Sequence, residues 1–252
     1  MFIPLKPDGG ADHFPWATLS LMGICVLMHL ATELGIISDP HPLCLVYGEF
    51  NPVQWFTSAV MHADLEHLIG NLFFLYTFGI VVEGLVGTPK FLVLIATTMI
   101  IEGCITQLLM SDFEWSRRDL AEWRELGVPN PPPLVALGAS GFIFAIMAAA
   151  MIWAPTSRIV CLWLFGVIGG VRSIRVRTMV VLYILFNVWQ ASWETTMTIS
   201  QGNLVDTLTT PWLHLIGAGA GALMACVFMA TGLIDTDGWH LFGEKTRRRT
   251  GL

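Results

Sequence analysis

The chain has 252 residues, of which 54% are hydrophobic and only 13% are charged, and its mean hydropathy is +0.66. Soluble domains carry about 25% charged residues, so this composition excludes a soluble globular protein and indicates one embedded in a lipid bilayer. The net charge of -6, without any large basic stripe, excludes nucleic acid as a partner.

Six apolar segments are predicted to cross the membrane. A helix needs about 20 residues to span about 30 Å of hydrocarbon. Five segments meet this requirement clearly, at 16–37, 66–86, 90–110, 137–154 and 212–233. The remaining span is predicted at 178–197, directly after Arg172, Arg175 and Arg177, which cannot lie in mid-bilayer. The piece before it, 158–171, is too short to cross and is predicted to be an interfacial or re-entrant segment.

The distribution of basic residues predicts the orientation of this all-α, polytopic bundle. We expect a membrane domain at 16–233 between flexible cytoplasmic tails at 1–15 and 234–252. With the N-terminus inside, six spans place ten basic residues in the cytoplasm and three outside, as the positive-inside tendency requires. A seventh span would carry the arginines at 247–249 outward. The short tails favour a multi-pass protein of the bacterial inner membrane.

Three polar clusters interrupt the apolar spans, and the six-span arrangement puts all three at one depth near the external face. They lie at 62–71, 138–141 and 214–221. Polar groups inside a bilayer are candidates for function. His67 and Asn71 are four residues apart and therefore share one helix face.

Small residues on the fourth and sixth helices predict that these two helices approach closely. Gly217 and Gly221 form such a stripe on the sixth helix. This approach would bring Ser140 and His214 within hydrogen-bonding reach. A serine hydroxyl becomes a nucleophile when a neighbouring base takes its proton. The sixth helix contains no carboxylate, so a Ser-His dyad is favoured over a triad, with Asp206 in the preceding loop left open as an orienting group.

These residues resemble the signature of rhomboid intramembrane serine proteases. The patterns are H-x-x-x-x-H-x-x-x-N, G-x-S-G and H-x-x-G-x-x-x-G, present as His62, His67 and Asn71, as residues 138–141, and as His214, Gly217 and Gly221. The resemblance implies that Ser140 is the nucleophile and His214 the general base. It also implies that His67, Asn71 and the backbone N–H of Ser140 form an oxyanion hole.

The same resemblance implies an activity and a route for the substrate. A rhomboid cleaves a peptide bond in or next to a transmembrane segment of a membrane protein, and its fifth helix with the following loop, here about 198–211, forms a lateral gate. Gly79 and Glu83 match a further family feature. Phe144 stands where many members have a tyrosine that stacks on the catalytic histidine.

Other readings of the polar residues stay open. A catalytically silent rhomboid-like adaptor that binds transmembrane helices is one alternative, and a transporter with a histidine proton relay is another, although no internal repeat supports the latter.

His62 and Glu66 do not have zinc-site spacing, so no metal and no cofactor is predicted, and His62 is expected to brace the loop. Glu102 is either functional or structural, and Asn187 and Gln190 are predicted to join helices. The segment 111–133 is predicted to be a surface-lying helix or cap. The sequence does not determine the oligomeric state.

Overall fold

The computed structural model describes residues 2–7, 14–111, 117–128, 134–165, 168–200, 209–234 and 240–241. Its α-helices are α1 (Trp16–Glu33), α2 (Gln54–Thr57), α3 (Leu65–Val86), α4 (Thr88–Leu109), α5 (Arg117–Glu125), α6 (Ser140–Trp153), α7 (Val176–Ser200) and α8 (Thr210–Ala230). Its strands are β1 (Phe2–Pro7), β2 (Leu45–Val46), β3 (Val135–Ala136), β4 (Arg158–Phe165) and β5 (Ile168–Arg175). Two short 3-10 helices cover His41–Leu43 and Ser58–Val60.

Each predicted span coincides with a helix of the described residues. Four of them, α1, α3, α4 and α8, are long and apolar enough to cross a membrane. The helix α6 has only 14 residues, and α7 has 25. The chain is therefore a mostly helical integral membrane protein, and four helices qualify as spans where the sequence predicts six. The segment 111–133, where a surface-lying helix or cap is predicted, contains the helix α5, and its position at the membrane surface stays a prediction. Residues 112–116 and 129–133 lie outside the described part.

The prediction of an all-α fold is wrong in one respect, because β1, β4 and β5 form an antiparallel sheet in that order. Residues 158–165 and 168–171 of the segment predicted to be interfacial or re-entrant lie in the paired strands β4 and β5, with Arg158 opposite Arg175. Ile159 and Cys161 are fully buried while Arg158 is exposed, which is the alternation of a strand with one covered face. A short apolar run of this kind is compatible with a strand as well as a helix.

The sequence predicts a flexible tail over residues 1–15, and this prediction is wrong for residues 2–7. They form strand β1, whose Phe2 lies opposite Trp163 and whose Pro7 lies opposite Ile159. An edge strand such as β1, with only β4 beside it, is a position in a sheet where proline occurs.

Helix α6 is the centre of the bundle. All of its residues are buried except Ser140 and Met151. A helix that is apolar on every side can face either lipid or other helices, and the burial of α6 shows that protein surrounds it. Its fully buried side chains, among them Phe142, Ile146 and Trp153, form one core with residues of α3 and α4. The first residue of α6, Ser140, is thereby held in place from several sides.

The segments predicted to be cytoplasmic meet at one end of the bundle. Strand β1 pairs with β4, which begins soon after α6 ends. Lys90, at the α3–α4 turn, donates to the carbonyl of Leu233 just after α8. The backbone N–H of Leu241 donates to Ile152 O at 2.8 Å. The starts of α3, α6 and α8, which carry the three polar clusters, therefore lie together at the opposite end.

Glu83, near the C-terminal end of α3, holds the start of α1. Its carboxylate accepts hydrogen bonds from the backbone N–H groups of Ala17 (2.9 Å) and Thr18 (2.8 Å) and from the Thr18 hydroxyl (2.7 Å). The Thr88 hydroxyl donates to it at 2.6 Å. The first N–H groups of a helix have no partner within the helix, so this buried carboxylate caps α1. A Cβ on Gly79 would lie 2.7 Å from the Thr18 side chain, which explains the glycine one turn earlier.

We expect Glu83→Gln to destabilise the bundle by about 2 kcal/mol, because the amide keeps one acceptor oxygen and places an NH₂ group against other donors. The measurement is the free energy of unfolding in mixed detergent micelles. The matched control is Glu33→Gln at the exposed end of α1, which should change stability by less than about 0.5 kcal/mol. Equal stability of the two variants would contradict the capping role.

Candidate active site

The close packing of α6 against α8 builds the site. A Cβ on Gly217 would collide with the carbonyl of Gly141, and a Cβ on Gly221 with the backbone of Ala145. The predicted small-residue contact between these helices is therefore confirmed. Both helices begin at the same end of the bundle, and Ser140 and His214 line one cavity of about 280 Å³.

The His214 ring is held on its face and at one edge. Phe144, one turn after Ser140 on α6, stacks on it with ring centroids 4.4 Å apart and an interplanar angle of 8°. The Nδ1 atom of His214 lies 2.8 Å from Oδ1 of Asn187 on α7. Asn187 thus joins two helices as predicted, whereas Gln190 donates to Glu194 on its own helix at 3.0 Å. Asp206, the other candidate for orienting His214, lies outside the described residues.

The opposite ring nitrogen of His214, Nε2, is buried and has no hydrogen-bond partner among the residues that the structure describes, so the predicted hydrogen bond with the Ser140 hydroxyl is not formed in this structure. Buried polar atoms are almost always paired, and an exception calls for an explanation such as a catalytic role. Because His214 and Ser140 line the same cavity, the unpaired Nε2 is a candidate to accept the proton of a hydroxyl.

His67 and Asn71 lie beside Gly138, two residues before Ser140. Asp64 caps α3 by accepting from the His67 N–H at 2.7 Å, which fixes the first turn. A Cβ on Gly138 would lie 2.7 Å from Cε1 of His67 and 3.6 Å from Nδ2 of Asn71. Gly138 also has φ +122, which disfavours any residue with a side chain. Glycine at this position therefore allows both polar side chains to approach the chain next to Ser140.

Two hydrogen-bond donors lie in the region where α6 begins. Nδ2 of Asn71 is buried and unpaired within the described part of the chain. Ser140 is the first residue of α6, so its N–H points from the free end of a helix, and the methyl side chain of Ala139 cannot cap it. The positive end of the helix dipole favours a negative charge at this point. The arrangement suits the oxygen of a tetrahedral oxyanion.

A second cavity of about 290 Å³ reaches the same serine from another side. Ser140 and His67 line it together with Glu102, Tyr47 and Thr106. The Glu102 carboxylate packs so closely on Gly141 that no Cβ could fit there. This placement puts Glu102, which the sequence left between a functional and a structural role, in the wall of a polar cavity next to the candidate nucleophile.

Gln107 fixes the segment before α3 that forms the outer wall of this second cavity, a role that sequence reasoning missed. Its Oε1 accepts from Nε1 of Trp55 at 2.7 Å and from the N–H of Asn51 at 2.9 Å. Its Nε2 donates to Oε1 of Gln54 at 2.9 Å. The only signal in the sequence is a polar amide near the end of an apolar span.

His62 packs edge-on against His67 with ring centroids 5.2 Å apart, and it is only 5% exposed. Burial, followed by the charge of His67, lowers the pKa of His62 to about 4, so the ring is neutral at physiological pH. This contact agrees with the predicted bracing role. Among the described residues, no group of three or more His, Cys, Asp or Glu side chains is placed to hold a metal ion.

Comparison with known proteins gives one family. The sequence model of the rhomboid domain matches residues 49–231, which include α2 to α8 and every candidate site residue. The chain is also 30% identical over 148 residues to Rhomboid-like protein 11, chloroplastic, from Arabidopsis thaliana. That match covers 58% of this chain and 44% of the plant protein, so the two proteins share less than half of the plant protein's length.

Proposed function

Because the chain belongs to the rhomboid family, we propose that it is an intramembrane serine endopeptidase. Ser140 is the nucleophile, His214 is the general base, and His67, Asn71 and the Ser140 N–H stabilise the oxyanion. The substrate is a membrane protein, cut in or next to a transmembrane segment.

The observation that supports this proposal best is the pair of unpaired polar atoms around Ser140. Nε2 of His214 and Nδ2 of Asn71 are both buried without a partner among the described residues. One can take a proton and the other can donate a hydrogen bond, and both side chains line the cavity of about 280 Å³ with Ser140.

In the proposed reaction, Nε2 of His214 takes the hydroxyl proton of Ser140 as the oxygen attacks the substrate carbonyl carbon. The carbonyl oxygen becomes negative and is held by the donors at the start of α6, where losing one donor commonly costs about 10² to 10³ in rate. His214 then protonates the leaving amine, and water hydrolyses the acyl-enzyme with His214 again as the base.

The membrane setting determines how the substrate is cut. An intact transmembrane helix hides its carbonyls in internal hydrogen bonds, so the substrate must unwind locally before Ser140 can attack. The cavity beside Glu102 and Thr106 supplies a polar path for the hydrolytic water.

The proposed topology has six crossings, with α6 and α7 completing the four clear spans, both termini in the cytoplasm, and the site near the external face. A bacterial inner membrane stays a prediction, as do the tails and domain bounds outside the described residues.

The test is covalent labelling in detergent with a fluorescent phosphonate, which reacts with an activated serine. We expect rapid labelling of the wild type and loss of labelling in His214→Ala, since the hydroxyl then has no base. Circular dichroism and gel filtration would verify that the variant is folded. A folded wild type that resists two different serine-directed reagents would refute the proposal and favour the silent helix-binding alternative.

A further inference from the structure

Asn187 bridges two helices through both ends of its amide. The residue is 4% exposed and lies on α7, 27 positions before His214 in the sequence. Its Nδ2 donates to the carbonyl of Tyr183 at 2.8 Å, one turn earlier on α7. Its Oδ1 lies 2.8 Å from Nδ1 of His214 on α8. The NH₂ group of the side chain thus bonds to its own helix, and the carbonyl oxygen faces the histidine.

These contacts determine which atom of the amide faces the histidine. A backbone carbonyl can only accept, so the group next to Tyr183 O must be the NH₂. The group facing His214 is then the carbonyl oxygen, which also only accepts. The Nδ1 of His214 must therefore carry a proton, and a neutral imidazole with Nδ1–H has its lone pair on Nε2.

The tautomer with the lone pair on Nε2 is the one that a general base next to Ser140 needs. Phe144 holds the ring face and Asn187 holds its Nδ1 edge. The only ring nitrogen left is Nε2, which is buried and unpaired among the described residues. In serine proteases with a third group, that group likewise fixes the tautomer and orientation of the histidine.

Resting on the proposed function, we infer that Asn187 is a positioning residue for His214 and completes a Ser140–His214–Asn187 arrangement. The neutral amide keeps its hydrogen bond when His214 gains a proton, because Nδ1–H is present in both states. A carboxylate in the same place would have to be held in the membrane as a charge before any reaction occurs, which is costly. Asparagine supplies the acceptor without that cost.

The test compares two substitutions at Asn187 with Ser192→Ala, which changes an exposed hydroxyl on the same helix. Asn187→Leu keeps the size and removes the acceptor, and Asn187→Asp restores an acceptor oxygen. Cleavage of a transmembrane peptide should fall roughly 10- to 100-fold in kcat for Asn187→Leu, with KM within about twofold. Asn187→Asp should recover part of this loss, and Ser192→Ala should match the wild type.

A spectroscopic readout separates positioning from a general packing effect. The protein is labelled with ¹⁵N in the histidine rings, and the His214 signals are assigned by their loss in His214→Gln. We expect the wild type to show a protonated Nδ1 and an unprotonated Nε2, and Asn187→Leu to show an exchanging mixture of tautomers. An unchanged tautomer with unchanged kcat in Asn187→Leu would overturn the inference.

The outcomes for Asn187 and for the proposed function are distinguishable. A labelled wild type with a fully active Asn187→Leu variant would reject the positioning role and leave the protease intact. A folded wild type that neither cleaves nor labels would reject the protease, and the positioning role with it. A slow Asn187→Leu variant that Asn187→Asp does not improve, and whose tautomer is unchanged, would assign Asn187 to helix packing alone and reject the inference.

Discussion

Ser140→Ala is expected to abolish phosphonate labelling and to lower the kcat for cleavage of a transmembrane peptide by on the order of 10⁴- to 10⁶-fold. The reason is that the methyl group cannot attack the carbonyl, while the binding cavity and the oxyanion donors stay in place. The fold should change little, because Ser140 is the first residue of α6 and its side chain is only half-buried in the cavity. The measurement is single-turnover cleavage in proteoliposomes.

Ser192→Ala is the matched control, since it removes a hydroxyl from an exposed position of α7 and should leave kcat unchanged. A second comparison uses the free energy of unfolding, which should agree between Ser140→Ala and the wild type within about 0.5 kcal/mol. Full cleavage by a folded Ser140→Ala variant would assign the activity to a different residue and end the case for Ser140 as the nucleophile.

The sequence was sufficient for the four clear spans and for the end of the bundle at which the polar clusters lie, because both depend on local patterns. Membrane-length apolar runs locate α1, α3, α4 and α8 within a few residues. Helical spacing places His67 and Asn71 on one face, and the small-residue rule predicts the contact of Gly221 with α6. Each of these inferences needs only neighbouring residues and a known period.

The parts that the sequence did not predict depend on contacts between distant segments. Strand β1 pairs with β4 across more than 150 residues, and the apolar run of β4 has no period that separates a strand from a helix. Asn187 was predicted to join helices, but its partner His214 follows only from the way α7 packs on α8. The carboxylate of Glu102 likewise reaches Gly141 only because α4 and α6 lie side by side.

The largest effect on stability is expected at the contact between α6 and α8, which positions the proposed nucleophile and base. Gly221→Ala should destabilise the protein by about 3 kcal/mol or more, because the new Cβ meets the backbone of Ala145, which cannot rotate away as a side chain would. The two helices would have to separate. We therefore expect phosphonate labelling to fall along with the free energy of unfolding, measured in mixed micelles.

Gly219 provides a control that differs by two positions on the same helix. A Cβ there meets no atom within 4 Å among the described residues, so Gly219→Ala should stabilise α8 by up to about 1 kcal/mol through the higher helix propensity of alanine. The two variants make the same chemical change and should shift stability in opposite directions. Equal shifts would mean that α6 and α8 do not touch at Gly221, and the arrangement that brings Ser140 to His214 would then lose its structural basis.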